Sequence, residues 1–267
     1  MSAWRSVRLL MLVVSAMAVC AQAQADSDFK PTVGQVGKDV VWVPSPQALV
    51  NRMLDMAKVT SQDFVMDLGS GDGRTVISAA RRGARALGIE YNPDMVELSR
   101  RNAAAEGLSD KAQFVQADIF ETDLSRASVI TLFLLPDLNL RLRPAILSLK
   151  PGTRIVSNTF GMSAWEADET FALDCNTYCT AHLWIVPARV EGKWRLPQGE
   201  LTLKQAFQKI TGTLLNGASE LSIEGRLRGD EIMFVAGGVE YRGRVSGNTI
   251  EGMLRTGGAA SAWAARR

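Results

Sequence analysis

The chain has 267 residues, 46% of them apolar and 22% charged, enough to bury a sizeable core and too long for one small domain. Lysine and arginine total 30 against 28 acids, with no clustered basic face, which argues against a nucleic-acid binder. Beyond the first 25 residues only two cysteines, Cys175 and Cys179, and one histidine, His182, remain, which leaves no set of four ligands for a zinc site, and no metal is expected.

The first 25 residues read as a secretory signal peptide. Arg5 and Arg8 make a basic start, Leu9 to Val19 is an apolar run, and Ala23-Gln24-Ala25 is a small-x-small site that places cleavage after Ala25. The run is too short for a membrane span. Cys20 fits a lipoprotein site poorly, because Val19 precedes it and the small-x-small site lies downstream. Cleavage removes two arginines and no acid, leaving 28 charges of each sign. The expected location is exported and periplasmic; the alternative is a chain anchored through an uncleaved signal. In an oxidising compartment, Cys175 and Cys179 are expected to close a short disulfide loop.

After a polar lead-in comes Trp42-Val43-Pro44-Ser45-Pro46, with Ser45 placed as an N-cap and Pro46 as the first helical residue. Leu49, Val50, Met53, Leu54 and Ala57 recur at helical spacing up to about Val59. The run Val65-Met66-Asp67-Leu68-Gly69-Ser70-Gly71-Asp72-Gly73-Arg74 then reads as a buried strand, a tight turn and a helix N-terminus. Its glycines let a ligand approach the bare backbone. A dinucleotide fingerprint would need glycine at position 74, which is Arg, so the spacing favours S-adenosylmethionine (SAM) over NAD. The next strand, Ala86 to Glu90, ends in a carboxylate placed to accept hydrogen bonds from ribose hydroxyls. A third, Ala112 to Ala117, ends at Asp118 and Ile119, a carboxylate for the adenine amine and an apolar side chain for its ring. SAM is therefore the expected co-substrate, held by Asp67, Gly69, Ser70, Gly71, Gly73, Glu90, Asp118 and Ile119.

Further strands are predicted near 128–134, 153–157, 168–174 and 181–187, with helices near 74–83, 93–106 and 138–149, the last interrupted at Pro144. The alternation predicts an α/β fold: a Rossmann-like, seven-stranded, mostly parallel sheet with helices on both faces. The SAM-binding domain spans 26–188. Beyond it, 189–267 shows short β-type runs between turn signals such as Gly237-Gly238 and Ser246-Gly247-Asn248. That predicts a small antiparallel β domain of six or so strands, a barrel or half-sandwich serving as a lid or a recognition module.

Residues Phe64 to Phe120 resemble the SAM-binding half of class I SAM-dependent methyltransferases. More narrowly, Trp42 to Pro46, Asp67 to Arg74 and Gly88-Ile89-Glu90-Tyr91-Asn92-Pro93 are similar to the mitochondrial ATP synthase c-subunit lysine methyltransferase family and its bacterial relatives. The resemblance implies methyl transfer to a protein lysine amine. Methyl transfer from a sulfonium is an in-line displacement that rests on positioning, so a catalytic triad is not needed. Acceptor positioning falls to Asp137, in Leu134-Leu135-Pro136-Asp137, and to Trp42, with Asn139 and Trp165 as lesser candidates. Asp137 could equally cap the following helix. Enzymes that methylate nucleobase or glutamine amines resemble one another in a loop opening on Asp or Asn; here that place is Leu134, which argues against those substrates. The remaining readings are a non-enzymatic SAM- or nucleoside-binding envelope protein and a small-molecule methyltransferase. The partner is an unidentified protein or small-molecule acceptor, with no nucleic acid and no stable membrane span after cleavage. An exported enzyme must also obtain SAM, which is made in the cytoplasm.

Overall fold

Apolar residues on both sides of a strand demand cover on both sides, and the first strand here has that pattern. The computed structural model describes residues 29–197 and 199–267, so the signal-peptide expectation for 1–25 lies outside the described residues. Helix α1 (Gln47–Met56) leads into β1 (Phe64–Leu68), α2 (Arg74–Arg81), β2 (Arg85–Glu90), α3 (Pro93–Ala105), β3 (Ala112–Gln116), β4 (Val129–Leu132), α4 (Pro136–Leu147), β5 (Arg154–Asn158), β6 (Glu169–Ala172) and β7 (Thr180–Ile185). These strands form one sheet in the order β3-β2-β1-β4-β5-β7-β6. The ladders joining β1 to β2 and β4, β2 to β3 and β4 to β5 are parallel, whereas β7 runs antiparallel to both β5 and β6.

Alternate residues sort the two faces. Val65, Val129 and Val156 share a core with Leu49, Val50, Val76 and Val96 of α1, α2 and α3. Met66, Ile130 and Ile155 pack instead with Leu138, Leu142 and Ile146 of α4. Helix α4 runs unbroken through Pro144, contrary to the predicted interruption. Pro144 is exposed, so water can serve the carbonyl that loses its amide partner. Ser45 is not the cap of α1: Pro46 occupies that place, and the Ser45 hydroxyl accepts a hydrogen bond from Asn158 Nδ2 at 2.9 Å.

After β7 the chain builds a closed barrel of eight antiparallel strands: β8 (Gly192–Leu196), β9 (Gly199–Ala206), β10 (Lys209–Asn216), β11 (Ser219–Arg228), β12 (Glu231–Ala236), β13 (Val239–Ser246), β14 (Thr249–Thr256) and β15 (Ala259–Arg266). Along β12 exposed and buried residues alternate strictly, and Phe234 stacks on its cross-strand partner Tyr241 at 4.7 Å with Trp263 edge-on to both. The interior is therefore a packed core. Six predicted strands become eight partly because the β9–β10 turn carries no glycine signal. Phe207 itself takes the left-handed conformation there (φ 57°), stacks on Trp165 at 6.0 Å, and is followed by Gln208, whose amide donates to the Glu166 carbonyl at 2.7 Å. Docking against the sheet domain holds a turn that local sequence does not announce.

Gly212 marks a tight point of the barrel wall, with φ 151° and space for a Cβ only 1.9 Å from the Thr202 carbonyl oxygen. Gly212→Ala is expected to destabilise the fold by about 3 kcal/mol or more, since backbone must move to admit the methyl. Urea denaturation followed by tryptophan fluorescence checks this, and a loss under about 1 kcal/mol would refute it.

Candidate functional site

The three strand ends carrying Asp67, Glu90 and Asp118 lie side by side along one edge of the sheet, because β1, β2 and β3 are neighbours. There Asp67, Gly69, Ser70, Gly71, Glu90, Asp118, Ile119 and Trp42 all line one cleft. Its lining continues to Phe133 and Leu134 after β4 and to Phe160 after β5, so the cleft extends past β1.

The turn after β1 is fixed from both sides. Gly69 and Ser70 donate their amides to the Ile89 carbonyl at 2.8 and 3.0 Å, and Gly69, Gly71 and Gly73 all adopt positive φ. Ser99 and Asn102 of α3 donate side-chain hydrogen bonds to the Gly71 and Asp72 carbonyls at 2.8 and 2.9 Å. The carbonyls are thus tied back toward the protein. Gly73 does not line the cleft; a Cβ there would stand 2.8 Å from the Phe114 ring, so its glycine serves packing.

Glu90 is held from two directions: Oε2 accepts from Gly71 N at 2.9 Å and Oε1 from Asn92 N at 3.0 Å. Each oxygen keeps a lone pair, which suits a carboxylate expected to receive two hydroxyls. Asp118 is engaged by Lys38 Nζ at 2.5 Å and by Phe120 N at 2.8 Å, and these donors hold its carboxyl below the usual range. Lys38 also lies over the Tyr91 ring, 4.5 Å from its centroid.

Asp67 differs from both. It is buried, and burial pushes its carboxyl up to about 7, opposed by a 2.6 Å hydrogen bond from the Thr131 hydroxyl and reinforced by the nearby Glu90 and Asp72 charges. A buried acid with no cation against it among the described residues is matched to a cationic ligand. SAM is such a ligand, so the donor set fits it.

Trp42 arrives on a small hairpin closed by hydrogen bonds of Gly34 N to Trp42 O and Trp42 N to Gln35 O, both 2.9 Å. Its indole covers Gly71, where an added Cβ would meet Nε1 at 2.7 Å. Arg74, paired with Asp72 at 2.6 Å, donates to the Ser45 carbonyl at 2.8 Å and so anchors the end of this strap.

Asp137 is placed differently from expectation. It is exposed in the first turn of α4, makes no capping hydrogen bond and is absent from the cleft wall, which Leu134, Leu135 and Leu138 supply instead. The helix starts at Pro136, two residues before the predicted boundary, which turns Asp137 outward. Asp137→Ala is accordingly expected to leave SAM affinity and methyl transfer within about twofold, at a cost of a few tenths of a kcal/mol in helix stability; a tenfold fall in transfer would restore Asp137 to the site. Asn139 is buried and donates to the Phe160 and Gly161 carbonyls at 3.2 and 3.3 Å, whereas Trp165 packs on Trp184 and Phe207. His182 spans Thr170 and the Thr159 carbonyl, and burial lowers its pKa. None of the three lines the cleft.

Sequence reasoning missed Lys38, Tyr91, Phe133, Phe160 and Tyr178, which also line the cleft. Lys38 comes from the hairpin that carries Trp42, and the other four lie next to strand ends, the one signal that could have flagged them. Among the described residues none that lines the cleft comes from the barrel, so the barrel does not cover this site. Among the described residues no cluster of three or more His, Cys, Asp or Glu is placed to hold a metal ion, and no helix is long and apolar enough to cross a membrane.

Known proteins share this arrangement. Residues 67–169 match the ANTKMT methyltransferase domain. A protein-lysine N-methyltransferase of Saccharolobus islandicus is 39% identical over 151 residues, covering 55% of this chain and 94% of that protein. The lysine N-methyltransferase of the ATP synthase c-subunit from Xenopus laevis is 32% identical over 53% of this chain, but only 63% of its own length is spanned. The crystal structure of an RNA methyltransferase from Salinibacter ruber, in complex with S-adenosyl-L-homocysteine, superposes with a TM-score of 0.53 at 47% identity, covering 55% of this chain and 96% of that one. The identity across nearly the whole Saccharolobus islandicus protein places this chain in the class I SAM-dependent methyltransferases, in the family of the protein-lysine N-methyltransferases.

Proposed function

We propose that the methyl acceptor is a lysine amine of a protein, and that the reaction takes place outside the cytoplasm. The observation that carries the acceptor is the charge of the cleft: among the described residues, Asp39, Asp67, Asp72, Glu90 and Asp118 line it against only Lys38 and Arg74. An acid-rich cleft favours a cationic side chain over a phosphate backbone. This weighs against an RNA acceptor, despite the description of the Salinibacter ruber relative. The names of the Saccharolobus islandicus and Xenopus laevis relatives support the same reading. Export is supported by the pattern of residues 1–25 and by the Cys175–Cys179 disulfide.

When bound, SAM supplies a methyl group on a sulfonium. Glu90 offers its remaining lone pairs to the ribose, Asp118 and Ile119 take the adenine, and Asp67 supplies the buried counter-charge. Trp42 and its strap exclude water above the glycine turn. The acceptor ammonium first loses a proton to solvent, which frees its lone pair. That lone pair attacks the methyl carbon while the carbon–sulfur bond breaks and its electron pair stays on sulfur. Positioning and desolvation supply the rate.

The test is transfer from methyl-labelled SAM to a fractionated bacterial envelope extract. Label recovered as N-methyl-lysine after acid hydrolysis of the protein fraction is the expected result. Label confined to RNA or to the macromolecule-free fraction would overturn the lysine reading, and SAM binding without transfer to any fraction would favour a binding protein. Export is read separately, by fractionating cells that express the full chain and blotting for it: recovery in the periplasm at the mass expected for cleavage after Ala25 supports it, and recovery in the cytoplasm at full length overturns it.

A further inference from the structure

Three aromatic rings from three different strand ends meet at one side of the cleft. Phe133 follows β4, Phe160 follows β5, and Tyr178 lies just before β7. Their centroids are 5.2 Å apart for Phe133 and Tyr178, and 6.2 Å for each of the other pairs. The strand order decides what this side is for. Glu90 and Asp118 stand at the ends of β2 and β3, Asp67 on β1, and the rings beyond it at β4, β5 and β7. The nucleoside end and the aromatic end thus flank the strand that bears the counter-charge for the reacting group. The space left for an acceptor is the aromatic one.

Tyr178 is held there at a cost. It is a non-glycine residue at φ 58°, in the left-handed region that L side chains rarely adopt. The Cys175–Cys179 disulfide closes the loop around it, with Cα atoms 5.8 Å apart. Backbone hydrogen bonds from Leu173 N to Cys179 O at 2.7 Å and from Thr159 N to Thr180 O at 2.6 Å tie both edges of that loop to the sheet.

We propose that Phe133, Phe160 and Tyr178 form the acceptor subsite, an aromatic wall for the aliphatic stem and amine of lysine, and that the Cys175–Cys179 disulfide completes it. The proposal rests on the lysine reading above and gives that site its acceptor face. Aromatic faces suit both parts of a lysine: the methylenes pack on the rings, and the ammonium is drawn to their electron-rich faces within about 6 Å. Reduction would release Tyr178 from its enforced backbone conformation and leave an incomplete wall. Methyl transfer would then depend on an oxidising surrounding. Cys175–Cys179 is the one disulfide among the described residues.

The experiment uses the full chain loaded with S-adenosylhomocysteine and carrying ¹³C-labelled phenylalanine and tyrosine rings. It is titrated with Nα-acetyl-lysine methylamide and, separately, with uridine. The expected result is saturable shifts of the Phe133, Phe160 and Tyr178 ring signals with the lysine probe and none with uridine. Dithiothreitol, which gives up two electrons and two protons to form two thiols and becomes its own cyclic disulfide, should weaken the lysine response at least tenfold. Reoxidation should restore it, while S-adenosylhomocysteine affinity stays within twofold. Tyr178→Ala should match the reduced protein, and the Cys175→Ser, Cys179→Ser double variant serves if Tyr178→Ala fails to fold. Rings unmoved by the lysine probe, shifts with uridine in its place, or a response indifferent to reduction would each overturn the proposal. Failure to bind S-adenosylhomocysteine at all would instead remove the methyltransferase site on which it stands.

Discussion

Glu90→Ala is expected to weaken SAM binding by about 100- to 10,000-fold. Hydrogen bonds to a charged group are each worth roughly 1.5–3 kcal/mol, and two ribose hydroxyls are assigned to this carboxylate. The substitution also frees the Gly71 and Asn92 amides that Glu90 now fixes at 2.9 and 3.0 Å, so the glycine turn loses its tie to the end of β2. Glu90→Gln separates the two effects. It keeps one acceptor oxygen and the side-chain volume, and should fall between wild type and Ala. Calorimetric titration with SAM, alongside circular dichroism to confirm folding, reads the result. Wild-type affinity in a folded Glu90→Ala protein would place the cofactor elsewhere.

The parts of this site that were legible in the sequence share a physical reason: they are dictated over short spans. A glycine turn after a buried strand allows few side chains, and an acid at a strand end stands out against apolar neighbours. Asp67, Glu90 and Asp118 could therefore be read one strand at a time, and the sheet then brought them to one cleft. The aromatic wall could not be read so. Phe133, Phe160 and Tyr178 lie in three separate loops, and each alone looks like an ordinary hydrophobic residue. Only the order β1-β4-β5-β7 makes them neighbours. Asp137 shows the opposite failure. Its place in the loop region after β4 looked catalytic, but the start of α4 sets which way a side chain faces, and helix starts are poorly marked when no capping side chain is present. The barrel was legible wherever Gly or Asn marked a turn and illegible at Phe207, whose turn depends on Trp165 and Glu166, some 40 residues away in the chain.

The second large effect concerns pH and follows from Asp67. Its carboxyl titrates at about 7 in the fold, against a usual 3.8, because burial disfavours the charge. A raised carboxyl pKa stabilises the fold while the group is protonated. That contribution is complete below about pH 4 and is lost as pH climbs through 7, on the order of 4 kcal/mol in all. The ligand-free protein should therefore melt at lower temperature at pH 8 than at pH 6, and Asp67→Asn should remove much of that difference. SAM reverses the preference, since a cation favours the ionised acid. Its association constant should rise about tenfold per pH unit below 7 and level off above it, with proton release on binding that disappears at alkaline pH. Calorimetric titrations between about pH 5.5 and 8.5, in buffers of differing ionisation enthalpy, measure affinity and proton release together. In Asp67→Asn the pH slope should vanish and SAM affinity at pH 8 should drop by about 10- to 100-fold, in line with loss of a buried charge partner. A flat profile in the wild type, or an unchanged affinity in Asp67→Asn, would mean that the cation of the ligand lies against some other group. Glu90 and Asp72, the acids whose charges already press on Asp67, would then be the next to test.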